Sequence, residues 1–172
     1  MRRDFLKLML GGASLLALTA CATTDPKFKT YRGPRVTRID VFKSQRLMRL
    51  YSGNRVLKQY EIGLGFAPVG HKLYEGDGKT PEGVYYIDRR NPDSRYHLSV
   101  GVSYPNEMDK ARALAAGKQV GSDIFIHGQG PEGRAASALR RDWTVGCIAV
   151  TDDEIEEIYA MVPDGTPIVI FP

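Results

Sequence analysis

The stretches SDIFIHG (122–128) and DWTVGCIAV (142–150) are the most informative parts of this sequence. Each contains a short run rich in β-branched and apolar residues, and each run has a chemically reactive side chain at one end, His127 in the first and Cys147 in the second. Short apolar runs bounded by glycine and polar residues are typical of buried strands. The two stretches therefore predict two strands whose ends present a histidine and a cysteine.

Strands also predominate in the rest of the chain. Alternating polar and apolar residues predict strands at 36–42, 46–51 and 55–63, with the turn residues Ser52-Gly53-Asn54 joining the last two. Further strands are predicted at 83–88, 97–102, 123–127, 147–150 and 166–171.

Two helices are predicted between these strands. The first follows Pro105, with Asn106 as its N-cap and Gly117 at its end. The second begins with the capping-box pair Thr151 and Glu154 and buries one apolar face. The loop between 128 and 142, rich in Gly and Arg, is predicted to be irregular. The fold class is therefore mainly β (α+β), a mixed sheet with a few peripheral helices.

The N-terminal stretch MRRDFLKLMLGGASLLALTAC (1–21) is typical of an export signal. Basic residues precede an apolar run that is too short for a membrane-spanning helix, and small residues follow it. Leu18-Thr-Ala-Cys21 resembles the lipobox of bacterial lipoproteins, which implies removal of residues 1–20 and a lipid on Cys21. Arg2-Arg3 also resembles the twin-arginine consensus, so the export route stays open. The alternative is a hydrophobic first helix with an incidental cysteine.

We expect a polar, proline-containing tether at 21–34 and one domain at 35–172. The formal net charge is +4, and half of it belongs to the predicted signal. No basic cluster interleaved with aromatic residues is present, so nucleic acid is not an expected partner. No dinucleotide fingerprint occurs, and His71 and His97 do not have a compact metal-ligand spacing with Cys147. No cofactor and no metal are predicted.

Cys147 and His127 are the predicted catalytic residues. A thiol becomes a strong nucleophile as the thiolate, and a neighbouring imidazole can take its proton or stabilise the anion. Gly146 allows close approach of a substrate, and the amides of Gly146 and Cys147 are candidate donors to an oxyanion in acyl transfer. The alternative is that Cys147 is a small buried hydrophobic residue.

Several motifs resemble one known family. His127-Gly128, followed at a distance by Thr144-Val-Gly-Cys147, resembles the signature of YkuD-type L,D-transpeptidases. Thr80-Pro-Glu-Gly83 resembles the segment that precedes a strand in that family, and 95–106 resembles its YafK-like branch. The resemblance covers about residues 36–171. It implies the catalytic-domain fold of that family, a mixed β sandwich or barrel-like sheet.

The resemblance also implies an activity. A peptidoglycan stem peptide would be transferred from the Cys147 thioester to an amine, either on another stem or on a wall-linked lipoprotein. Two alternatives stay open, a cysteine hydrolase of the same fold that cleaves stems or releases wall-bound lipoprotein, and a non-catalytic wall-binding lipoprotein. The lipid would hold the enzyme on the periplasmic face of a membrane. Ala22 after Cys21 favours the outer membrane.

The chain departs from the family pattern after the cysteine. Many members have Arg where this chain has Ala149. Which other cation of this chain takes the place of that Arg stays open. The candidates are three arginines in the loop between His127 and Cys147. The alternative is that these arginines are simply exposed to solvent. They are Arg134, Arg140 and Arg141. The other candidates for substrate contact are Tyr96 and His97, and the residues expected to support the site are Thr144, Val145, Gly146 and Gly128.

Overall fold

The structure, a computed structural model, describes residues 25–172. Within this range eight strands and three helices follow one another along the chain. In chain order they are β1 (Arg38–Phe42), β2 (Leu47–Ser52), β3 (Arg55–Glu61), β4 (Gly83–Ser94), β5 (His97–Val102), α1 (Glu107–Ala115), β6 (Phe125–His127), α2 (Gly130–Leu139), β7 (Ile148–Ala149), α3 (Asp152–Met161) and β8 (Pro167–Phe171).

The described strands form one mixed sheet in the order β3-β2-β1-β8-β4-β5-β6-β7. The pairs β1–β8 and β6–β7 are parallel, and the other neighbours are antiparallel. Isolated bridges join Gly63 to Ala149 and Gly65 to Thr144. These bridges bring the segment that follows β3 against β7, so the sheet curls until its two ends meet. The predicted mainly β, barrel-like mixed sheet with peripheral helices is confirmed.

The core lies inside the curled sheet and under α3. Ile126 of β6 and Ile148 of β7 are paired in register and fully buried. Helix α3 packs on β5 and β6, and it buries Ile155 and Ile158 as its apolar periodicity predicts. Its predicted capping box is present, since the side chains of Thr151 and Glu154 each accept a backbone N–H.

Helix α2 corrects the prediction of an irregular loop between 128 and 142. The N-cap residue of α2 is Gln129, and its side chain makes no capping hydrogen bond. Asp152, the first residue of α3, accepts the backbone N–H groups of Gln129 and Gly130 at 2.7 and 2.9 Å. A carboxylate stabilises the N-terminus of a helix, and here it comes from a distant part of the chain. Local sequence signals indicate α2 only through Pro131 in its first turn, and the capping group is not visible in them.

The other elements differ from prediction mainly at their ends. Strand β4 continues to Ser94, whereas the sequence predicted an end at 88. Cys21 and the predicted signal at 1–20 lie outside the described residues. Between residues 25 and 172, no helix has the length and apolar content needed to cross a membrane.

Candidate active site

His127 and Cys147 lie on neighbouring parallel strands. His127 is the last residue of β6, and Cys147 directly precedes β7. The register pairs Ile126 with Ile148 and His127 with Ala149. If this register is continued by one residue toward the N-terminus, Cys147 lies beside Phe125. Phe125 precedes His127 by two residues on β6. Side chains two residues apart on a strand share a face, so the thiol and the imidazole are diagonal neighbours on one face.

The Cys147 thiol is half-buried and protonated at neutral pH. Its Sγ donates a hydrogen bond to the backbone oxygen of Asp123 at 3.4 Å. Burial raises the pKa of the thiol above its usual value, and a hydrogen bond from the Phe125 backbone opposes this rise. The thiol is thus not a standing thiolate, and it needs a base to become a nucleophile.

The His127 imidazole is neutral and oriented by one backbone carbonyl. Its Nδ1 lies 2.6 Å from the oxygen of Gly128. Because a carbonyl can only accept, Nδ1 carries the proton and Nε2 keeps its lone pair. The side chain is only 3% exposed, and this burial lowers the pKa of His127 to about 4. At neutral pH the ring is therefore a proton acceptor, and the resting pair is neutral and not an ion pair.

Gly128 is needed for this arrangement. A Cβ at this position would lie 2.7 Å from Oδ1 of Asp152 and 2.8 Å from the backbone oxygen of Tyr96. Real Cβ atoms do not approach other atoms so closely, so only glycine fits without displacement of α3. The supporting role of Gly128 stays a prediction, and the lack of space for a Cβ is compatible with it.

Two aromatic residues hold the imidazole ring. Tyr96 stacks on His127 with ring centroids 4.6 Å apart, and Trp143 meets the histidine edge-on at 5.5 Å. Trp143 also contacts Tyr96, so the three rings form one cluster. Such contacts fix ring orientation and exclude water from one side of the ring. Tyr96 was predicted as a substrate contact, whereas Trp143 was not singled out although it directly precedes Thr144.

The turn Thr144–Cys147 is shaped by Thr144. Its Oγ1 accepts the Gly146 N–H at 3.1 Å and donates to the Cys147 oxygen at 2.7 Å. Gly146 has φ of +143°, and a Cβ there would lie 2.8 Å from the Lys79 oxygen. Of the two amides named as candidate oxyanion donors, that of Gly146 already donates its N–H to Thr144. Among the described residues the N–H groups of Val145 and Cys147 have no acceptor, so both are available in this turn to an acceptor on a ligand.

Cys147 borders two cavities. The first, which we call the histidine-side cavity, measures about 250 Å³, and its lining includes Asn91, Ser94, Arg95, Tyr96, His127 and Cys147. The second, the lysine-side cavity, measures about 230 Å³, and its lining includes Lys72, Glu75, Asp123, Val145, Gly146 and Cys147. Exposed Val145 thus lines a cavity, and the thiol is open to ligands from two directions.

The predicted cations lie elsewhere. Arg134 pairs with Asp152, and Arg140 donates to the Phe66 oxygen. Arg141 donates to the oxygen of Ile62 at 3.2 Å and lines a separate cavity of about 290 Å³ with Ala149. That cavity lies next to Trp143 and does not reach Cys147. The cation of the histidine-side cavity is Arg95, which sequence reasoning did not select for this role.

The two remaining histidines are also outside the site. Nε2 of His97 lies 2.8 Å from Oε1 of Glu156 on α3, and His97 lines neither cavity beside Cys147. His71 accepts the Glu82 N–H at 3.0 Å, and its Nε2 faces Asp109 at 3.1 Å. In the described range no group of three or more His, Cys, Asp or Glu side chains is arranged to hold a metal ion.

The curled sheet and the adjacent histidine and cysteine define the class, a mostly β domain with a thiol–imidazole site. The family model for the YkuD L,D-transpeptidase catalytic domain matches residues 36–170. The chain therefore belongs to the YkuD family of L,D-transpeptidase catalytic domains.

Named relatives agree with this family. YafK of Escherichia coli K12 is 29% identical over 154 residues, which are 84% of this chain and 56% of YafK. YkuD of Bacillus licheniformis is 29% identical over 135 residues, 78% of this chain and 66% of YkuD. The chain thus spans little more than half the length of YafK.

Solved structures show the same fold. Pgp2 of Campylobacter jejuni, a helical cell shape determining protein, has a TM-score of 0.62 at 28% identity, covering 86% of this chain and 51% of Pgp2. Bd1075 of Bdellovibrio bacteriovorus has a TM-score of 0.56 at 30% identity, covering 80% of this chain and 48% of Bd1075. An L,D-transpeptidase of Mycobacterium smegmatis has a TM-score of 0.53 at 18% identity, covering 81% and 60%, which shows the fold alone.

Proposed function

We propose that this protein is a peptidoglycan L,D-transpeptidase with Cys147 as nucleophile and His127 as general base. The observation that carries the proposal is the pairing of a protonated thiol with a buried, neutral imidazole on one cavity. The imidazole has a fixed tautomer and a free Nε2, as a base requires. Membership of the YkuD family supplies the substrate class, stem peptides of peptidoglycan.

The first half-reaction forms a thioester. His127 Nε2 takes the thiol proton as the Cys147 sulfur attacks the carbonyl carbon of the third stem residue, and the Cys147 N–H receives the developing oxyanion. The C–N bond to the terminal D-Ala then breaks, and His127 returns its proton to the leaving amine. The acyl group remains on sulfur.

The second half-reaction transfers the acyl group. An amine attacks the thioester, His127 takes its proton, and the sulfur leaves and is reprotonated. A water molecule occupies only about 30 Å³ of liquid volume. The histidine-side cavity of about 250 Å³ therefore admits an amine-bearing side chain as well as water, and the proposal of transfer rests on membership of the YkuD family. The acceptor is an amine of another stem or of a wall-linked lipoprotein, and the lipid on Cys21 would hold the enzyme on the periplasmic face of the membrane.

Mass spectrometry of disaccharide-tetrapeptides and lipoprotein-bearing sacculi, incubated with the protein or with its Cys147→Ala variant, tests the proposal. Loss of D-Ala together with crosslinked dimers or attached protein, dependent on Cys147, is the expected result. Release of monomers or lipoprotein without dimers would make the protein a hydrolase of the same fold. Identical products from both proteins would discard catalysis by Cys147 and leave a wall-binding protein.

A further inference from the structure

The two cavities beside Cys147 differ in their access to the base. If the proposed function holds, His127 must reach the amine that leaves and the amine that attacks. Both amines therefore occupy the histidine-side cavity in turn. The acyl half of the substrate, on the other side of the reacting carbonyl, is then directed to the lysine-side cavity, which contains the sulfur but not His127.

Lys72 is the unusual residue of the lysine-side cavity. Its side chain is only 4% exposed, although it carries an ammonium group. Its Nζ donates to the Tyr74 oxygen at 3.1 Å and to Oδ1 of Asp77 at 3.0 Å. An ammonium has three N–H donors, and within the described residues the third finds no acceptor. A buried donor without a partner is costly, so a ligand atom that accepts from it gains affinity.

Asp77 cannot supply the missing acceptor. Its carboxylate already receives the backbone N–H groups of Leu73, Tyr74 and Lys79 as well as the Lys72 ammonium. A carboxylate has about four acceptor positions, and all four are used. These bonds hold the pKa of Asp77 below its usual value. The Asp77 carboxylate thus holds the surrounding loop together by hydrogen bonds. The third N–H group of the Lys72 ammonium remains available to a ligand.

The charges around the cavity define the ligand further. Glu75 is exposed at its rim, whereas Asp123, which lines both cavities, pairs with Arg89 at 3.5 Å. A ligand with only negative charge would be repelled there, whereas an amino group near a carboxylate would be complementary. We propose that the lysine-side cavity is the acyl-donor subsite, where Lys72 binds the side-chain carboxylate of the third stem residue and the neighbouring amino group faces Glu75.

Two matched stem tetrapeptides test this assignment, one with a free side-chain carboxylate on its third residue and one with the carboxamide. For the wild-type protein, kcat/KM on the carboxamide is expected to be roughly 10- to 100-fold lower, mainly through KM, since a charge-assisted hydrogen bond is lost. Lys72→Met is expected to have the same kcat/KM on both peptides, equal to the lower value that the wild type has on the carboxamide. Lys118→Met is the matched control, because Lys118 lies over the Tyr74 ring outside the cavity and should keep the preference.

The preference separates recognition from any effect of Lys72 on the sulfur, since a less reactive thiol would slow both peptides alike. Equal wild-type rates on the two peptides would overturn the proposal, even if Lys72→Met fails to fold. A preference that survives in folded Lys72→Met would overturn it as well. Calorimetric binding of both peptides to Cys147→Ala measures the subsite without catalysis. Weaker binding of the carboxamide peptide would support recognition by Lys72 even if no turnover is found. Equal binding of the two peptides would refute that recognition.

Discussion

The free energy of unfolding is predicted to depend on pH because His127 is buried. The ordinary histidine pKa is 6.5, and burial lowers that of His127 to about 4 in the folded protein. Above pH 6.5 the ring is neutral in both states, so it contributes no pH dependence. As the pH falls below 6.5, only the unfolded state binds the proton, and stability is lost progressively until about pH 4. The full loss corresponds to roughly 3 kcal/mol.

Urea unfolding of the wild-type protein and of His127→Gln, measured from pH 7.5 to pH 4, isolates this contribution. All other ionisable groups are common to the two proteins, so their effects cancel in the difference. The wild type should lose roughly 3 kcal/mol more than the variant across this range. Parallel losses in the two proteins would refute the argument, because they would mean that His127 is protonated as easily in the folded state as in the unfolded state.

Three further predictions concern the pH profile, the turn and the anchor. The acidic limb of kcat/KM should lie near pH 4, where His127 becomes protonated, and a limb near 6.5 would contradict the burial argument. Gly146→Ala should cost roughly 1–3 kcal/mol in urea unfolding and lower turnover, because the residue has φ of +143° and no room for a Cβ. Cys21→Ser should abolish incorporation of labelled fatty acid and move the protein from the membrane to the soluble fraction; retained label would exclude lipid attachment at this residue.

The sequence predicted those elements whose signals are local. The strands follow from alternation of polar and apolar residues, and α3 follows from its capping box and apolar face. Helix α2 has a weaker local signal, Pro131 in its first turn, and its capping carboxylate is Asp152 from α3. An accepting group that lies far along the chain leaves no pattern in the residues that surround the helix.

The same distinction applies to the site. His127 and Cys147 were predicted because each ends a strand in a recognisable motif, and Thr144 because it lies in one of these motifs. Lys72 was not predicted, since its burial and its spare donor depend on how the loop folds against the turn before β7. Arg134 and Arg140 bond to Asp152 and to the Phe66 oxygen, whereas Arg141 lines a cavity with Ala149, the position where many family members have Arg.

The protonation state of the acceptor amine bears on the choice between transfer and hydrolysis. An alkyl amine in water has a pKa of about 10, so at neutral pH it is mostly an ammonium, which has no lone pair with which to attack the thioester. The acceptor must therefore attack as the neutral amine, whose fraction rises about tenfold per pH unit below its own pKa. Water needs no such deprotonation before it binds. The ratio of crosslinked to hydrolysed product should consequently increase with pH between 6 and 9, measured by mass spectrometry at a fixed acceptor concentration. A constant ratio would mean that burial in the histidine-side cavity already strips the proton from the amine.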